Sequence, residues 1–274
     1  MNSDDYRAYV GGTSGLIYGY VNDGFYTVAD FESFDSKSRT WKLKDGVVDS
    51  SPLSDTPRPG NAKFKKLTAI DPNSTNPYQL TEADRTVIGN TTPKFSGGFG
   101  LNATYKGFDM SMFFNFMYDF DVLNANKIML TTWADNKENN FLMDIASDKR
   151  WRNFDDMGNE IRYSPEILAE FNKNATMWNP TSIGRPICMS YAVEDGSFLR
   201  LNSATLGYTL PSVWTKKVGL SKVRFYVSGN NLFTLTGYSG YDPEVNIATG
   251  LTPNIDYNRY PRSRTYTFGA QLTF

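Results

Sequence analysis

Residues 94–118 read KFSGGFGLNATYKGFDMSMFFNFMY. On both sides of Lys106-Gly107, apolar and polar side chains alternate with a period of two, which is the period of a β-strand and not of a helix. A two-residue loop that ends in Gly is typical of a tight hairpin, because Gly adopts the positive φ that such turns need. Closing the hairpin there places Tyr105 opposite Phe108 and Phe99 opposite Phe114, so both apolar sets share one face. The stretch therefore predicts a long antiparallel hairpin.

The same alternation recurs along the rest of the chain. It predicts strands near 14–22, 94–105, 107–118, 197–210, 222–236 and 264–274. The connections between them alternate in length, with long ones at 23–93, 119–196 and 237–263 and short ones at 106–107 and 211–221. Short turns at one end and long loops at the other are typical of outer-membrane β-barrels.

Strand length also favours a membrane barrel. The hairpin strands run for about eleven residues, which suits a tilted strand across a bilayer and exceeds the usual soluble strand. A long hairpin of a soluble sandwich is the alternative. About six strands cannot close a transmembrane barrel, and an open sheet with an apolar face would aggregate. We therefore predict an all-β chain that forms the last part of a larger barrel.

Composition excludes several classes of function. Lys plus Arg number 28 and Asp plus Glu number 29, so the formal net charge of −1 gives no reason to expect a nucleic-acid partner. The chain has no His and one cysteine, Cys188, which removes the commonest general base and any CxxC site. We predict no enzyme activity, no catalytic residue and no cofactor. No apolar run is long enough for a transmembrane helix, and the acidic start is not a signal peptide, so the chain is either cytosolic or part of an exported protein.

Several distinctive motifs follow one another along the chain: LIYGYVNDGFY (16–26), DRTVIG (84–89) with PKF (93–95), DGSFLRL (195–201), LGYTLP (206–211), SGNNLF (228–233), GYDPE (240–244) and YPR (260–262). Together and in this order they resemble the SusC/RagA type of TonB-dependent outer-membrane transporter. The resemblance identifies the chain as the C-terminal part of such a barrel.

This resemblance carries expectations about the whole protein. It implies a 22-stranded barrel, closed by a plug, in the outer membrane of a Gram-negative cell of the Bacteroidetes kind. It implies import of oligosaccharides, or in some members of peptides, together with a SusD-like surface lipoprotein. Energy would come from the TonB complex acting on the plug, which is absent from this chain. The long connections would be extracellular, and outer-membrane lipid would cover the apolar face. A soluble all-β glycan-binding or adhesive module is the alternative function.

Two sets of side chains are candidates for contact with a substrate or with the lipoprotein. In the long connections, aromatic rings beside polar groups either stack on a ligand or pack their own loops. The candidates are Asp242 and the aromatic residues Trp133, Trp151, Trp178, Tyr238, Tyr241, Tyr257 and Tyr260. On the polar strand faces, the candidates for lining a lumen are Asn102, Asn115, Arg200, Arg224, Asn230 and Arg264.

A calcium site at Asp71, Asn73 and Asp84 is considered because family members often carry an Asp-rich loop there. The loop in this chain lacks the second Asp and the Gly, and Ca²⁺ needs six or more oxygen ligands, so we predict an Asx-type turn and no metal.

A third candidate function is a glycoside hydrolase, which needs two carboxyl groups that face one sugar. The sequence contains two carboxylate pairs, Asp155-Asp156 and Asp242 with Glu244, but closeness in sequence does not show that both members face one sugar. We interpret both pairs as solvated charges. The apolar residues around Lys216-Lys217 are interpreted as a short amphipathic turn that packs on itself.

Overall fold

β-Strands are the main regular elements of the computed structural model, which describes residues 3–132, 141–145, 148–245 and 252–274. The predicted all-β fold is confirmed. The strands are β1 Tyr6–Arg7, β2 Leu16–Gly19, β3 Asn22–Phe25, β4 Phe31–Asp35, β5 Thr40–Leu43, β6 Ala62–Phe64, β7 Thr86–Asn90, β8 Phe95–Tyr105, β9 Phe108–Tyr118, β10 Asp121–Asn124, β11 Val193–Asp195, β12 Phe198–Thr209, β13 Lys222–Thr236, β14 Ile255–Asp256 and β15 Thr265–Thr273. The α-helices are α1 Ala125–Met129, α2 Pro165–Phe171 and α3 Ser212–Thr215.

The longest strands form one antiparallel sheet in the order β15-β13-β12-β9-β8. Their bounds lie within one residue of the strands predicted at 94–105, 107–118, 197–210, 222–236 and 264–274. A β-bulge between Leu201 and Ser203 interrupts the register of β12 with both of its neighbours. Period-two patterning therefore located these strands, and the bulge is the local departure from it.

The hairpin of β8 and β9 has the predicted register. Tyr105 pairs with Phe108 and Phe99 pairs with Phe114. Lys106 has a φ of 47° and Gly107 a φ of 89°, so both loop residues adopt the positive φ of a type I′ turn. A side chain at Gly107 would also bring its Cβ to 2.8 Å from the Thr209 carbonyl oxygen, so this position needs Gly for space as well.

The registers place alternate side chains of all five strands on a common apolar face. Phe99 is 44% exposed, Leu101 51% and Phe268 80%. Other exposed members of this face are Phe95, Tyr105, Phe108, Leu206, Phe225, Tyr266 and Leu272. A soluble sandwich would cover such a face with a second layer, whereas these side chains stay open to the surroundings.

The chain divides into two compact units. The sheet unit comprises Thr91–Val122, Glu194–Ile247 and Asn258–Phe274 and contains the five long strands. The loop unit comprises Met1–Asn90, Leu123–Val193 and Ala248–Tyr257. It has a hydrophobic core of its own, and the fully or almost fully buried members of that core include Ile17, Phe64, Leu123, Ile128, Trp178, Ile183 and Met189. Most of the long connections predicted at 23–93 and 119–196 are therefore folded around this core.

The strand predicted at 14–22 is different in the structure. It is the four-residue strand β2, which pairs with β1 and β7 in a small sheet of the loop unit. Ile17 is fully buried, whereas the Tyr18 ring lies 4.6 Å from the Arg7 guanidinium and 5.1 Å from that of Arg85. Tyr20, just beyond β2, is also buried, while cation–π contacts hold Tyr18 on the partly exposed side, so this short strand lacks the two-faced pattern of the long ones.

Candidate functional site

The polar face of the sheet unit carries most of the residues predicted to line a lumen. Asn102, Asn115, Arg200, Arg224 and Asn230 occupy register positions on the face opposite Phe99 and Leu101. Asn115 pairs directly with Arg200 across β9 and β12. Arg264 precedes β15 and is exposed. The five residues in the strands therefore share a face and differ in exposure, whereas Arg264 lies outside the paired register, and lumen contact of all six stays a prediction.

An ion pair on this face ties β9 to β13 across the strand between them. The Arg224 Nε donates to Asp109 Oδ1 at 2.9 Å, and Arg224 Nη2 donates to the second carboxylate oxygen. Gly207 of β12 is the register partner of Asp109. A Cβ at Gly207 would lie 2.6 Å from Asp109 Oδ1, so the pair has room to pass over β12 only because this residue lacks a side chain.

A second ionic cluster forms around Arg200 at the far end of β12. The Arg200 side chain is 2% exposed, and its Nη2 donates to Asp242 Oδ1 at 2.5 Å. Glu244 Oε2 lies 3.7 Å from the same nitrogen, and Glu244 Oε1 accepts from Arg262 at 2.7 Å. The expectation that Asp242 and Glu244 are solvated is wrong, because the loop after β13 folds back and buries most of both side chains against Arg200.

The electrostatics of this cluster follow from its burial. Burial alone would raise the pKa of Asp242, but the hydrogen bonds from the Arg200 guanidinium and the Glu244 N–H outweigh it and hold that pKa below its ordinary value. Asp155 also has a lowered pKa, because the Asn159 amide and neighbouring N–H groups donate to it. The acid of a glycoside hydrolase needs a raised pKa, so neither Asp155 nor Asp242 fits that role.

The loop aromatic residues separate into buried and exposed sets. Trp151, Trp178 and Tyr238 are 3%, 2% and 6% exposed and belong to hydrophobic clusters, so they pack their own loops. Tyr241, Tyr257 and Tyr260 are exposed and remain open to a ligand or a partner. Trp133 lies outside the described residues.

The residues considered for calcium have other partners. Asp84 is fully buried, and its carboxylate accepts hydrogen bonds from the N–H groups of Leu67, Thr68 and Thr81 and from both threonine hydroxyls. Burial opposes its ionisation, but these donors outweigh burial and hold its pKa well below the ordinary value. Asp71 Oδ1 accepts from the Asn73 N–H at 2.9 Å, which is the predicted Asx-type turn. Over the described ranges, no three His, Cys, Asp or Glu side chains are grouped so as to hold a metal ion.

The loop unit also contains a polar cleft that sequence analysis missed. Its volume is about 470 Å³, and its charged lining residues are Asp4, Asp5, Arg7, Glu82, Arg85 and Arg185. Arg85 Nη2 donates to Asp5 Oδ1 at 2.9 Å and to the Tyr18 carbonyl at 2.7 Å. These residues are far apart in the chain and no local motif links them, so only folding brings them together.

No helix in the described part of the chain is long and apolar enough to cross a bilayer. No protein-family model matches the chain.

Curated proteins similar to the chain are named as TonB-dependent receptors. The chain is 33% identical over 266 residues to TonB-dependent receptor P3 of Formosa agariphila, and the alignment covers 95% of this chain and 22% of that protein. It is 38% identical over 88 residues to TonB-dependent receptor SusC of Bacteroides thetaiotaomicron, which covers 31% of this chain and 8% of that protein. The chain thus spans about a fifth of the length of the first relative.

Solved structures with a similar fold include the RagAB peptide transporter. It matches at 22% identity with a TM-score of 0.57, over 96% of this chain and 23% of that chain. The RagAB peptide importer in its open-open state matches at the same identity with a TM-score of 0.54, over 94% and 22% of the two chains. At this level of identity the likeness concerns the fold.

The chain is a segment of a TonB-dependent receptor. One of these relatives is named SusC, and the family resemblance predicted from the sequence motifs is confirmed.

Proposed function

We propose that the sheet unit is a piece of the wall of an outer-membrane β-barrel, with its apolar face against lipid and its polar face toward the lumen. The exposed apolar face is the observation that carries this proposal. A strand of 11 residues such as β8 is about 34 Å long, and at a tilt of about 40° it spans about 26 Å. That distance matches the apolar band of outer-membrane barrels, which is about 25 Å tall.

The two edges of the sheet support the same proposal. Within the described residues, β8 and β15 each pair with one neighbour, so each presents an unpaired row of backbone N–H and C=O groups. Long open edges promote aggregation, and closure of a barrel removes them. Because the chain spans about a fifth of the relative's length, the remaining strands would come from the rest of the receptor.

The whole receptor then acts in import. We infer that it takes up oligosaccharides or peptides through the barrel, together with a SusD-like lipoprotein and with energy from the TonB complex. The names of the relatives support receptor and transporter activity, and one solved neighbour is called a peptide importer. The exposed Tyr241, Tyr257 and Tyr260 and the polar cleft of the loop unit are the candidate contacts for substrate or lipoprotein.

The test uses the full-length receptor in its own cells. Cells with and without the receptor gene receive a mixed oligosaccharide library and, separately, a peptide library, and mass spectrometry follows each component in the medium. We expect receptor-dependent loss of one class of component, abolished when TonB is deleted, with no hydrolysis products in the medium. Recovery of the full-length protein from the soluble fraction without detergent would contradict the proposal, and receptor-dependent cleavage products would instead favour a hydrolase.

A further inference from the structure

The connection between β12 and β13 presents large apolar side chains outward. Helix α3 continues into a single 3-10 turn, Lys216–Val218, and Gly219 ends it with a φ of 75°. Val213 is 69% exposed, Trp214 60% and Val218 71%. The expectation that this turn packs its apolar residues on itself is therefore wrong for these side chains.

Backbone hydrogen bonds hold the turn in shape without help from those apolar side chains. The Trp214 N–H donates to the Pro211 carbonyl at 2.9 Å, and the Leu220 N–H donates to the Thr215 carbonyl at 3.1 Å. Thr215 is the buried member of α3. Because the backbone closes the turn, the exposed apolar side chains are free to contact an external partner.

All charged side chains of residues 211–222 are basic. Lys216 and Lys217 lie in the turn and Lys222 begins β13, while no acidic residue occurs anywhere between Asp195 and Asp242. The neighbouring carboxylate of Asp109 is already bound to Arg224. The turn therefore attracts anions, and a partner surface that matches it carries negative charge beside apolar groups.

The turn lies at the same end of the sheet as the β8–β9 turn. The Thr209 N–H donates to the Gly107 carbonyl at 2.8 Å, which places the end of β12 beside the β8–β9 turn. Near this end, one row of the apolar face consists of Tyr105, Phe108, Tyr208 and Phe225. The rings of Phe108 and Tyr208 are in contact, with centroids 4.5 Å apart.

We propose that residues 211–222 anchor this end of the barrel wall in the headgroup region of an anionic phospholipid leaflet. Trp214, Val213 and Val218 would enter the boundary between headgroups and acyl chains, and Lys216, Lys217 and Lys222 would bind lipid phosphates. Trp is favoured at that boundary because its ring is apolar and its N–H is polar, and lysines reach phosphates while their stems cover apolar surface. The inference rests on the proposed function, since the apolar face must first meet lipid.

The test measures contact between Trp214 and lipid in the full-length receptor. The receptor is reconstituted in nanodiscs that contain phosphatidylglycerol and phosphatidylcholine brominated near the start of the acyl chains. The emission of Trp214 is obtained by subtracting the tryptophan emission of the Trp214→Phe variant from that of the parent receptor. A Phe99→Trp variant in the Trp214→Phe background reports on the apolar face itself.

We expect brominated lipid to quench the Trp214 emission at least twofold, and to quench the residue 99 reporter as well. Quenching at residue 99 without quenching of Trp214 would overturn the anchor while leaving the proposed function intact. Absence of quenching at both positions would overturn both. If Trp214 becomes protected from quenching only when the receptor concentration rises, Trp214 contacts a second copy of the chain and the anchor is overturned.

A second arm tests the basic residues. In pure phosphatidylcholine we expect the Trp214 quenching to fall at least twofold below that in phosphatidylglycerol, and Lys216→Gln with Lys217→Gln should remove this difference. Equal quenching of the parent receptor in both lipids would overturn the anionic part of the proposal.

Discussion

Replacement of Arg200 by Met tests whether the buried ionic cluster holds the loop after β13 against the sheet. Met keeps the length of the side chain and removes the charge, which leaves the largely buried Asp242 and Glu244 carboxylates without their common partner. Breaking a fully buried ion pair costs about 3–5 kcal/mol, and the residual exposure of the two carboxylates reduces this cost to about 2–3 kcal/mol. At 1.4 kcal/mol per factor of ten, the open population of this loop should rise roughly 30- to 150-fold.

Hydrogen exchange in the full-length receptor measures that opening directly. The Glu244 N–H donates to Asp242 Oδ1 at 2.9 Å, so its exchange rate reports on the cluster. We expect peptides that cover residues 238–245 to exchange faster by the factor above in Arg200→Met. Arg262→Met is the matched control, because Arg262 is 44% exposed and its pair with Glu244 should contribute about 1 kcal/mol or less.

The pH dependence of the same exchange has a defined sign. The pKa of Asp242 is lowered in the folded protein, so its contribution to stability is present at neutral pH and is lost as pH falls below the ordinary value of 3.8. Exchange in Arg200→Met no faster than in Arg262→Met would refute the reasoning. So would equal protection of the parent loop at neutral pH and at strongly acidic pH.

Three further predictions concern other parts of the chain. Gly207→Val should displace the Arg224–Asp109 pair and reduce the heat-resistant folded band of the receptor on gels. Gly237→Val is the control, because no atom lies within 4 Å of the added Cβ, and it should leave that band unchanged. Equal bands for the two variants would contradict the steric argument. Asp84→Asn should destabilise the loop unit by about 2–3 kcal/mol, seen as faster exchange around Thr68 and Thr81, and unchanged exchange would count against it. Burial raises the pKa of Cys188 to about 12, so maleimide at pH 8 should label it only after unfolding, as read by peptide mass spectrometry; rapid labelling of the folded receptor would show this burial to be wrong.

Local patterning explains what the sequence predicted well. Each long strand of the sheet unit has its own period-two signal, and the Lys106-Gly107 turn fixes the register of the pair from both sides. The bulge between Leu201 and Ser203 has no such signal. Apolar and polar residues alternate on both sides of it, and only the pairing of β12 with its neighbours shows the register shift.

Long-range contacts explain what the sequence did not predict. The Arg200–Asp242 pair joins residues 42 positions apart, and Arg224 with Asp109 joins residues 115 positions apart. No spacing rule links them, and the need for Gly207 becomes visible only when the pair is seen to cross over β12. In the loop unit, Ile17 is buried with residues from the distant end of the second connection, so its strand cannot be assigned from alternation alone.

Spin labels placed singly at residues 99–104 of β8 in the full-length receptor test the lipid-facing assignment most directly. Collision with oxygen, which concentrates in lipid, and with a water-soluble nickel chelate, which does not, separates the two environments. We predict that labels at Phe99, Leu101 and Ala103 collide mainly with oxygen, and that those at Gly100, Asn102 and Thr104 do not. Collision values that change smoothly along the strand, without a period of two, would contradict the account.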